Sequence, residues 1–387
     1  MPNIETFVNT RTQPYQAACQ FADQVKAVQP LGNGNINDTF MVVLDPSAAA
    51  HPSSTVRFVL QRINTQVFSE PTWVMQNMRI ATEHVLQRLQ ENPGAERRWE
   101  MPKVLPTQDG ADYWRDTDGS FWRAISFIEA SRSLDTVQDH AHALEVGYAL
   151  GTFHRLMSDL PPNALADTLE GFHITPGYLK QYQDTLLSRG LHLQGASLAP
   201  EVKYCLSFIE ARQDLAHVLE TAKAEGKLPL RPIHGDPKVN NILLDTTTGQ
   251  AVSIIDLDTV KPGLIHYDIG DCLRSGCNPL GEETERWEAV HFDLELAQAM
   301  LEGYVQEAGQ FLTAYDYAYL YDAIRLIAFE LGLRFFADYL ANNVYFKVKH
   351  PEHNLARALV QFKLTESIEA QAAALNSLIE GLRAQEL

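Results

Sequence analysis

Ile233-His234-Gly235-Asp236-Pro237-Lys238-Val239-Asn240-Asn241-Ile242-Leu243-Leu244-Asp245 decides the fold, together with Ala251-Val252-Ser253-Ile254-Ile255-Asp256-Leu257-Asp258. The two apolar runs flank Thr246-Thr247-Thr248-Gly249-Gln250, a composition that predicts a β-hairpin. With Thr248-Gly249 at the turn centre, Leu244 faces Ser253 and Asn241 faces Asp256; a longer loop shifts this register by one. That pairing sets an amide oxygen beside a carboxylate at the open end of the hairpin. Two protein oxygens, with water and phosphate completing the shell, are a common way to hold Mg²⁺ at a phosphoryl-transfer site. Asp236 precedes Asn241 by five residues, the spacing at which protein kinases place a proton-accepting Asp and a metal-binding Asn. An ordinary turn containing Asp and Asn is the plain alternative. The run H-G-D-x-x-x-x-N, followed by a hairpin and I-D-x-D, favours the chemical reading.

Outward from this island the pattern changes. Residues 1–128 read mainly as β: Phe40-Met41-Val42-Val43-Leu44 stops at Asp45-Pro46, 56–63 alternates, and 113–128 reads as a hairpin around Asp118-Gly119. One strong helix, 72–90, interrupts them, with Ser69 as its cap and Val74, Met78, Ala81, Val85 and Leu89 as its apolar stripe. Residues 129–387 are mainly helical, over 141–158, 176–188, 199–224, 285–306, 316–340 and 355–383. The expected architecture is α+β and bilobal, a small β-rich N-terminal lobe and a large helical C-terminal lobe with a cleft between them.

Composition narrows the function. The chain has 387 residues, 45% of them hydrophobic, enough for two sizeable cores. Lys and Arg total 31 against 49 Asp and Glu, a formal charge of −18 that argues against a nucleic-acid or anionic-membrane partner. No apolar stretch is long enough to span a membrane, and Met1-Pro2-Asn3-Ile4-Glu5-Thr6 lacks the features of a signal peptide. Cys19, Cys205, Cys272 and Cys277 form no C-x-x-C pair, as expected of free thiols in a reducing cytoplasm. The expected state is a monomer or homodimer.

At Ile233-His234-Gly235-Asp236, Asn241 and Ile255-Asp256 the sequence resembles the catalytic and metal motifs of the aminoglycoside phosphotransferase/choline kinase family. Met101-Pro102-Lys103-Val104-Leu105 and 266–274 extend the likeness over most of the chain. The resemblance implies a protein-kinase-like fold that uses ATP and Mg²⁺, with Asp236 as catalytic base and Asn241 and Asp256 as metal ligands. The small lobe should then receive the nucleotide. Gly32-Asn33-Gly34-Asn35-Ile36-Asn37-Asp38-Thr39 is a G-x-G-x-x-N loop followed by a strand, unlike a dinucleotide-binding turn, which opens a helix. It is expected to cover phosphates through Gly32, Gly34, Asn35, Asn37 and Thr39, the alternative being a plain hairpin turn.

Arg62 shares a strand face with Val56, Phe58 and Leu60, where a charge needs an anionic partner. The family holds nucleotide phosphates from this strand, and Arg62 looks like that position; a strand-end Arg reaching solvent is the alternative. Glu83 is a possible helix partner for it but lies off the apolar stripe, as a solvated residue would. Phe127 and Ile128, in Ser126-Phe127-Ile128-Glu129, occupy the expected hinge, where backbone groups would meet adenine. Asp258 is divided evenly between a metal or substrate role and a loop cap. His154 reads as a hydrogen-bonded core histidine. His266, Asp268, Asp271 and Arg274 read as structural pairs, and 282–285 as the first turn of a helix.

Within the family the chain looks most like the N-acetylhexosamine 1-kinases. The likeness rests on 34–39, 60–64, 255–260 and 267–274, and on Glu330-Leu331-Gly332-Leu333-Arg334-Phe335, Asp338-Tyr339-Leu340, Val344-Tyr345-Phe346 and Gln361-Phe362-Lys363. It implies phosphoryl transfer to the anomeric hydroxyl of GlcNAc or GalNAc, with Arg334 and Tyr345 touching the sugar. Helix packing and surface pairing are the plain alternatives for those two. Asn35 stands where that subgroup is expected to carry His. A kinase of an aminoglycoside or amino alcohol is the nearest rival. A pseudokinase that binds nucleotide without turnover is the rival from another class, and the intact Asp236, Asn241 and Asp256 argue against it.

Overall fold

Alternating apolar residues build an antiparallel sheet in the N-terminal half of the computed structural model, which describes residues 12–32, 36–45, 57–91, 97–189 and 198–385. Its elements are α1 (Gln13–Phe21), β1 (Val25–Pro30), β2 (Asp38–Leu44), β3 (Arg57–Ile63), α2 (Pro71–Glu91), β4 (Val104–Leu105), β5 (Trp114–Arg115) and β6 (Phe121–Ser126). The strand order is β1-β2-β3-β6-β4, with β5 also on β6. Period-2 alternation sends successive side chains to opposite faces. Phe58, Leu60, Trp122 and Ala124 pack on Ala17 and Ala18 of α1, while Ile63 and Phe121 pack on Val74 and Met75 of α2. Helix α1 is an addition to the one helix expected in this half; nine residues long, its buried positions are the small Ala17 and Ala18.

The chain divides into two compact units, Met1–Ala130 with Leu165–Leu169, and Ser131–Ala164 with Glu170–Leu387. The 165–169 segment joins the first unit through a paired amide contact. Asn77 Nδ2 donates to Ala166 O at 2.7 Å, and Ala166 N donates to Asn77 Oδ1 at 2.9 Å.

The second unit runs β7 (Ser131–Arg132), α3 (His140–Met157), α4 (Thr175–Arg189), α5 (Pro200–Glu210), α6 (Val218–Ala224), β8 (Arg231–Ile233), β9 (Ile242–Asp245), β10 (Ala251–Ile254) and β11 (Lys261–Gly263). It continues with α7 (Ile265–Gly276), α8 (Leu294–Ala308), α9 (Ala314–Ala318), α10 (Leu320–Leu340), α11 (His353–Ala370) and α12 (Ala372–Gln385). Helices α3 and α8 approach so closely that a Cβ on Gly147 would lie 1.8 Å from the Met300 carbonyl oxygen.

Four expected helices change form. The 199–224 helix is interrupted by a 3-10 turn, Gln213–His217, 316–340 divides at Tyr319 into α9 and α10, and 355–383 divides into α11 and α12. The helix expected from 285 begins at Leu294, where Asp293 caps it by accepting from the amides of Glu295 and Leu296 at 3.0 and 3.1 Å. The acidic run 282–285 is therefore outside any helix. Helix α7 was not expected; all of Ile265 to Arg274 are buried, the polar His266, Asp268, Asp271 and Arg274 among them.

Candidate active site

The hairpin forms around the predicted turn, but its register is one residue tighter. Ser253 pairs with Leu243 and Ile254 with Ile242, after a bulge between Ala251 and Ser253. The extra bulge residue moves Asn241 opposite Ile255, whose amide donates to the Asn241 carbonyl at 2.8 Å. Asp256 follows in the left-handed conformation (φ 67°) and turns the chain into Leu257–Thr259. The bulge and this turn together still deliver Asn241 and Asp256 to the same end of the hairpin.

Strand β8 delivers His234 and Gly235 into a polar frame organised by Asp268 of α7. Asp268 accepts from the amides of His234 and Gly235 at 2.6 and 2.8 Å, and lies 2.8 Å from His154 Nε2. Burial opposes its charge, but the contacts with His154 and His234 hold its carboxyl below the usual range. His154 also meets the Tyr304 hydroxyl at 2.9 Å, so it is the hydrogen-bonded core histidine expected. His234 accepts from the Asp236 amide on Nδ1 (3.2 Å) and donates from Nε2 to Ile255 O (3.0 Å). That bonding requires a neutral ring, in accord with burial, which lowers its pKa. Gly235 has φ 85°, and a Cβ there would meet Thr259 O at 2.7 Å, so glycine is required before Asp236.

This frame presents Asp236 and its neighbours. Lys238 Nζ lies 2.6 Å from Asp236 Oδ2 with 37% of its side chain exposed. Burial presses the ammonium down, but Asp236 and Asp256 outweigh it and hold Lys238 above the ordinary lysine range. Asn241 Nδ2 donates to Asp236 O at 2.7 Å, which leaves its Oδ1 for another partner. Asp256 opens the turn Leu257–Thr259 at the same end of the hairpin. Among the described residues no cluster of three or more His, Cys, Asp or Glu could hold a metal. An Asn oxygen and an Asp carboxylate nevertheless suit a hard cation that shares its shell with phosphate and water. Lys238 was missed in the sequence although it stands two residues beyond Asp236, in the same loop. Asp258 is 3% exposed, within the turn Leu257–Thr259.

Arg334 lies on α10, its side chain 12% exposed and 4.0 Å from Glu330 Oε1. Phe172, Tyr178 and Phe346 surround its guanidinium, with ring centroids 5.2, 4.8 and 5.5 Å away. Phe346 is held there by Asp338, which accepts from the amides of Val344, Tyr345 and Phe346 at 2.8, 2.9 and 3.0 Å. Tyr345 stays 51% exposed and packs edge-on against Phe346. Glu330 also lies 2.9 Å from His173 Nδ1, and His173 Nε2 lies 2.9 Å from Gly235 O. A short polar chain therefore joins Arg334 to the loop that carries Asp236.

In the first unit, Gly32 has φ 71°. Gly34 and Asn35 lie outside the described residues. Asn37 accepts the Asn64 amide at 2.9 Å, and Thr39 Oγ1 accepts from Gln61 Nε2 at 3.1 Å. Arg62 Nε donates to Asp38 of β2 at 2.9 Å, and its Nη1 donates to Gln13 of α1 at 3.2 Å. Its anionic partner in this structure is thus Asp38. Glu83 instead meets Arg79 at 2.8 Å. Arg123, on the opposite face of the sheet and fully buried, donates Nε and Nη2 to Gln61 Oε1 at 2.9 and 2.6 Å. Ile128 is buried, and the Phe127 ring lies 4.2 Å beneath the Arg57 guanidinium.

The sequence model of the phosphotransferase enzyme family (APH) matches residues 27–319. Among solved structures, the chain is similar to a microcompartment-associated aminopropanol kinase at 18% identity and a TM-score of 0.59, over 94% of this chain and 97% of that one. It is also similar to an aminoglycoside phosphotransferase from Alicyclobacillus acidocaldarius (16% identity, 96% and 99% covered, TM-score 0.60). A choline kinase from Cryptosporidium parvum matches at 13% identity, with 95% of each chain covered and a TM-score of 0.55. At these identities the likeness bears on the fold, which is α+β and protein-kinase-like.

Proposed function

This chain belongs to the phosphotransferase enzyme family, and from that premise we propose that it transfers the γ-phosphoryl group of ATP to the anomeric hydroxyl of a neutral N-acetylhexosamine. The observation that carries the acceptor class is Arg334, an almost buried guanidinium with no hydrogen-bonded partner among the described residues. Its donors suit hydroxyl and amide oxygens. A cationic acceptor, whether an amino alcohol or an aminoglycoside, would meet a like charge inside an aromatic surround that Arg334 already fills. That argument favours the neutral sugar over the nearest rival.

In this reading Asp236 accepts the proton of the attacking hydroxyl, and the anomeric hydroxyl, the most acidic of a sugar, asks only for a modest base. The Lys238 ammonium, beside Asp236 and drawn by Asp256, offsets negative charge on the group in transfer. Positioning and electrostatics supply most of such catalysis. Asn241 and Asp256 would hold Mg²⁺, which when bound neutralises charge on the nucleotide phosphates. Residues 32–39 would receive those phosphates. Arg62 could join them by exchanging Asp38 for phosphate.

Replacing Arg334 with Ala tests the acceptor assignment. Losing hydrogen bonds to a charged group costs about 1.5–3 kcal/mol, so the sugar KM should rise roughly 10–100-fold while the ATP KM moves less than about twofold. An unchanged sugar KM, or equal rises in both constants, contradicts the assignment.

A further inference from the structure

His173 precedes α4 and is 4% exposed, with both ring nitrogens engaged. The Gly235 carbonyl oxygen, 2.9 Å from Nε2, can only accept, so Nε2 carries a proton. Nδ1 faces Glu330 Oε1, also at 2.9 Å, and the other oxygen of that carboxylate already accepts from Thr175 Oγ1 at 2.6 Å. Two acceptors call for two ring protons. The ring lies between Phe172 and Tyr267, with centroids 4.0 and 5.4 Å away, and aromatic neighbours of this kind favour a cation. Its backbone is left-handed (φ 64°), a costly conformation for a residue with a Cβ, retained where the surroundings over-determine it.

We propose that His173 is a positioning residue for phosphoryl transfer: a buried imidazolium that ties the Gly235–Asp236 peptide to α10, so that the base and Arg334 share one frame. The proposal rests on the acceptor reading above. The charged and titratable groups around the ring are Glu330, with Arg334 beyond it, on α10, Asp271 and Tyr267 on α7, Tyr178 on α4, and Asp236 next to the bonded carbonyl. Carboxylates outnumber the one guanidinium. Burial works against the imidazolium, and Glu330 overrides it, keeping the ring protonated above the ordinary histidine range. Activity should then persist through neutral pH and fall on the alkaline side, as the second ring proton leaves and the tie to Glu330 is lost.

The test combines nitrogen-15 NMR of histidine-labelled full-length protein with pH-dependent kinetics of His173→Asn and Glu330→Gln. At pH about 7.5 the wild type should show one ring with both nitrogens protonated, absent from the His173→Asn spectrum. His173→Asn should lower kcat roughly 10²-fold, the scale of a misplaced reacting group, with the ATP KM within about twofold. Glu330→Gln removes an opposite charge, so it should move the ring titration and the alkaline limb of kcat down together by roughly 1–3 pH units. A singly protonated ring, an unmoved limb in Glu330→Gln, or an unchanged kcat in His173→Asn overturns the proposal. If His173→Asn does not fold, the wild-type spectrum and Glu330→Gln decide. A wild type that phosphorylates no sugar overturns the acceptor reading alone; the spectrum and the alkaline limb of ATP hydrolysis, with water as acceptor, then decide the role of His173.

Discussion

Asp236 is held so that its carboxylate is usable: the Asn241 amide bonds its carbonyl, the His234 ring accepts from its amide, and Lys238 sits on one carboxylate oxygen. Removing the basicity of Asp236 while keeping its backbone contacts tests the proton-accepting role proposed for it. Asp236→Asn should leave melting and ATP binding near the wild type and lower kcat by about 10²–10⁴-fold, the usual contribution of a general base. Turnover and ligand-dependent melting check this, and full turnover in a folded variant contradicts it. The motif residues were legible because their chemistry and spacing lie within one short stretch. The pairing of His173 with Glu330 was not: Glu330 lies in a stretch that carries the family likeness, but its partner is 157 residues away in sequence. Arg62 was legible as a charge needing an anion, yet the partner is a cross-strand Asp38, a neighbour only the register reveals.

At the scale of elements, a stripe is easiest to read where the opposite face is wet. Helix α2 is covered on one side and shows its stripe; α7 buries His266, Asp268, Asp271 and Arg274 along with its apolar residues, and these were legible as polar pairs rather than as a helix. The hairpin was readable from its turn, and its exact register was not, because a bulge leaves no composition signal. The acidic run 282–285 looked like a helix start. Instead Glu283 accepts from Lys349 (2.9 Å) and Arg357 Nε (2.7 Å) and meets His353 (2.9 Å), pinning the segment that leads from Tyr345 to α11. Burial raises its pKa, but these cations prevail and hold it at about 2 against an ordinary 4.5. The depressed value means stability that is present above the unfolded-state value and is lost as pH falls from about 4.5 towards 2. Glu283→Gln should therefore cost roughly 1–2 kcal/mol at pH about 7, allowing for solvent screening of a carboxylate 44% exposed. Its melting temperature should also depend less on pH over that acid range. Equal acid sensitivity in the variant and wild type contradicts the clamp.

Across the whole molecule the net charge is −18, and no helix among the described residues is long and apolar enough to cross a membrane. The fold is shared with kinases of amino alcohols and aminoglycosides, so it leaves the acceptor open. In the reading we propose, the acceptor is chosen by Arg334, which Phe172, Tyr178 and Phe346 frame and which Glu330 and His173 link to the Asp236 loop; its charge favours a neutral polyol. Phosphorus–proton NMR of the product, after incubation with ATP and a panel of N-acetylhexosamines, aminoglycosides and choline-like alcohols, tests this most directly. The account predicts a sugar 1-phosphate, with phosphorus coupled to H1; coupling to the C6 protons, or phosphorylation of the cationic alcohols with no hexosamine product, would contradict it.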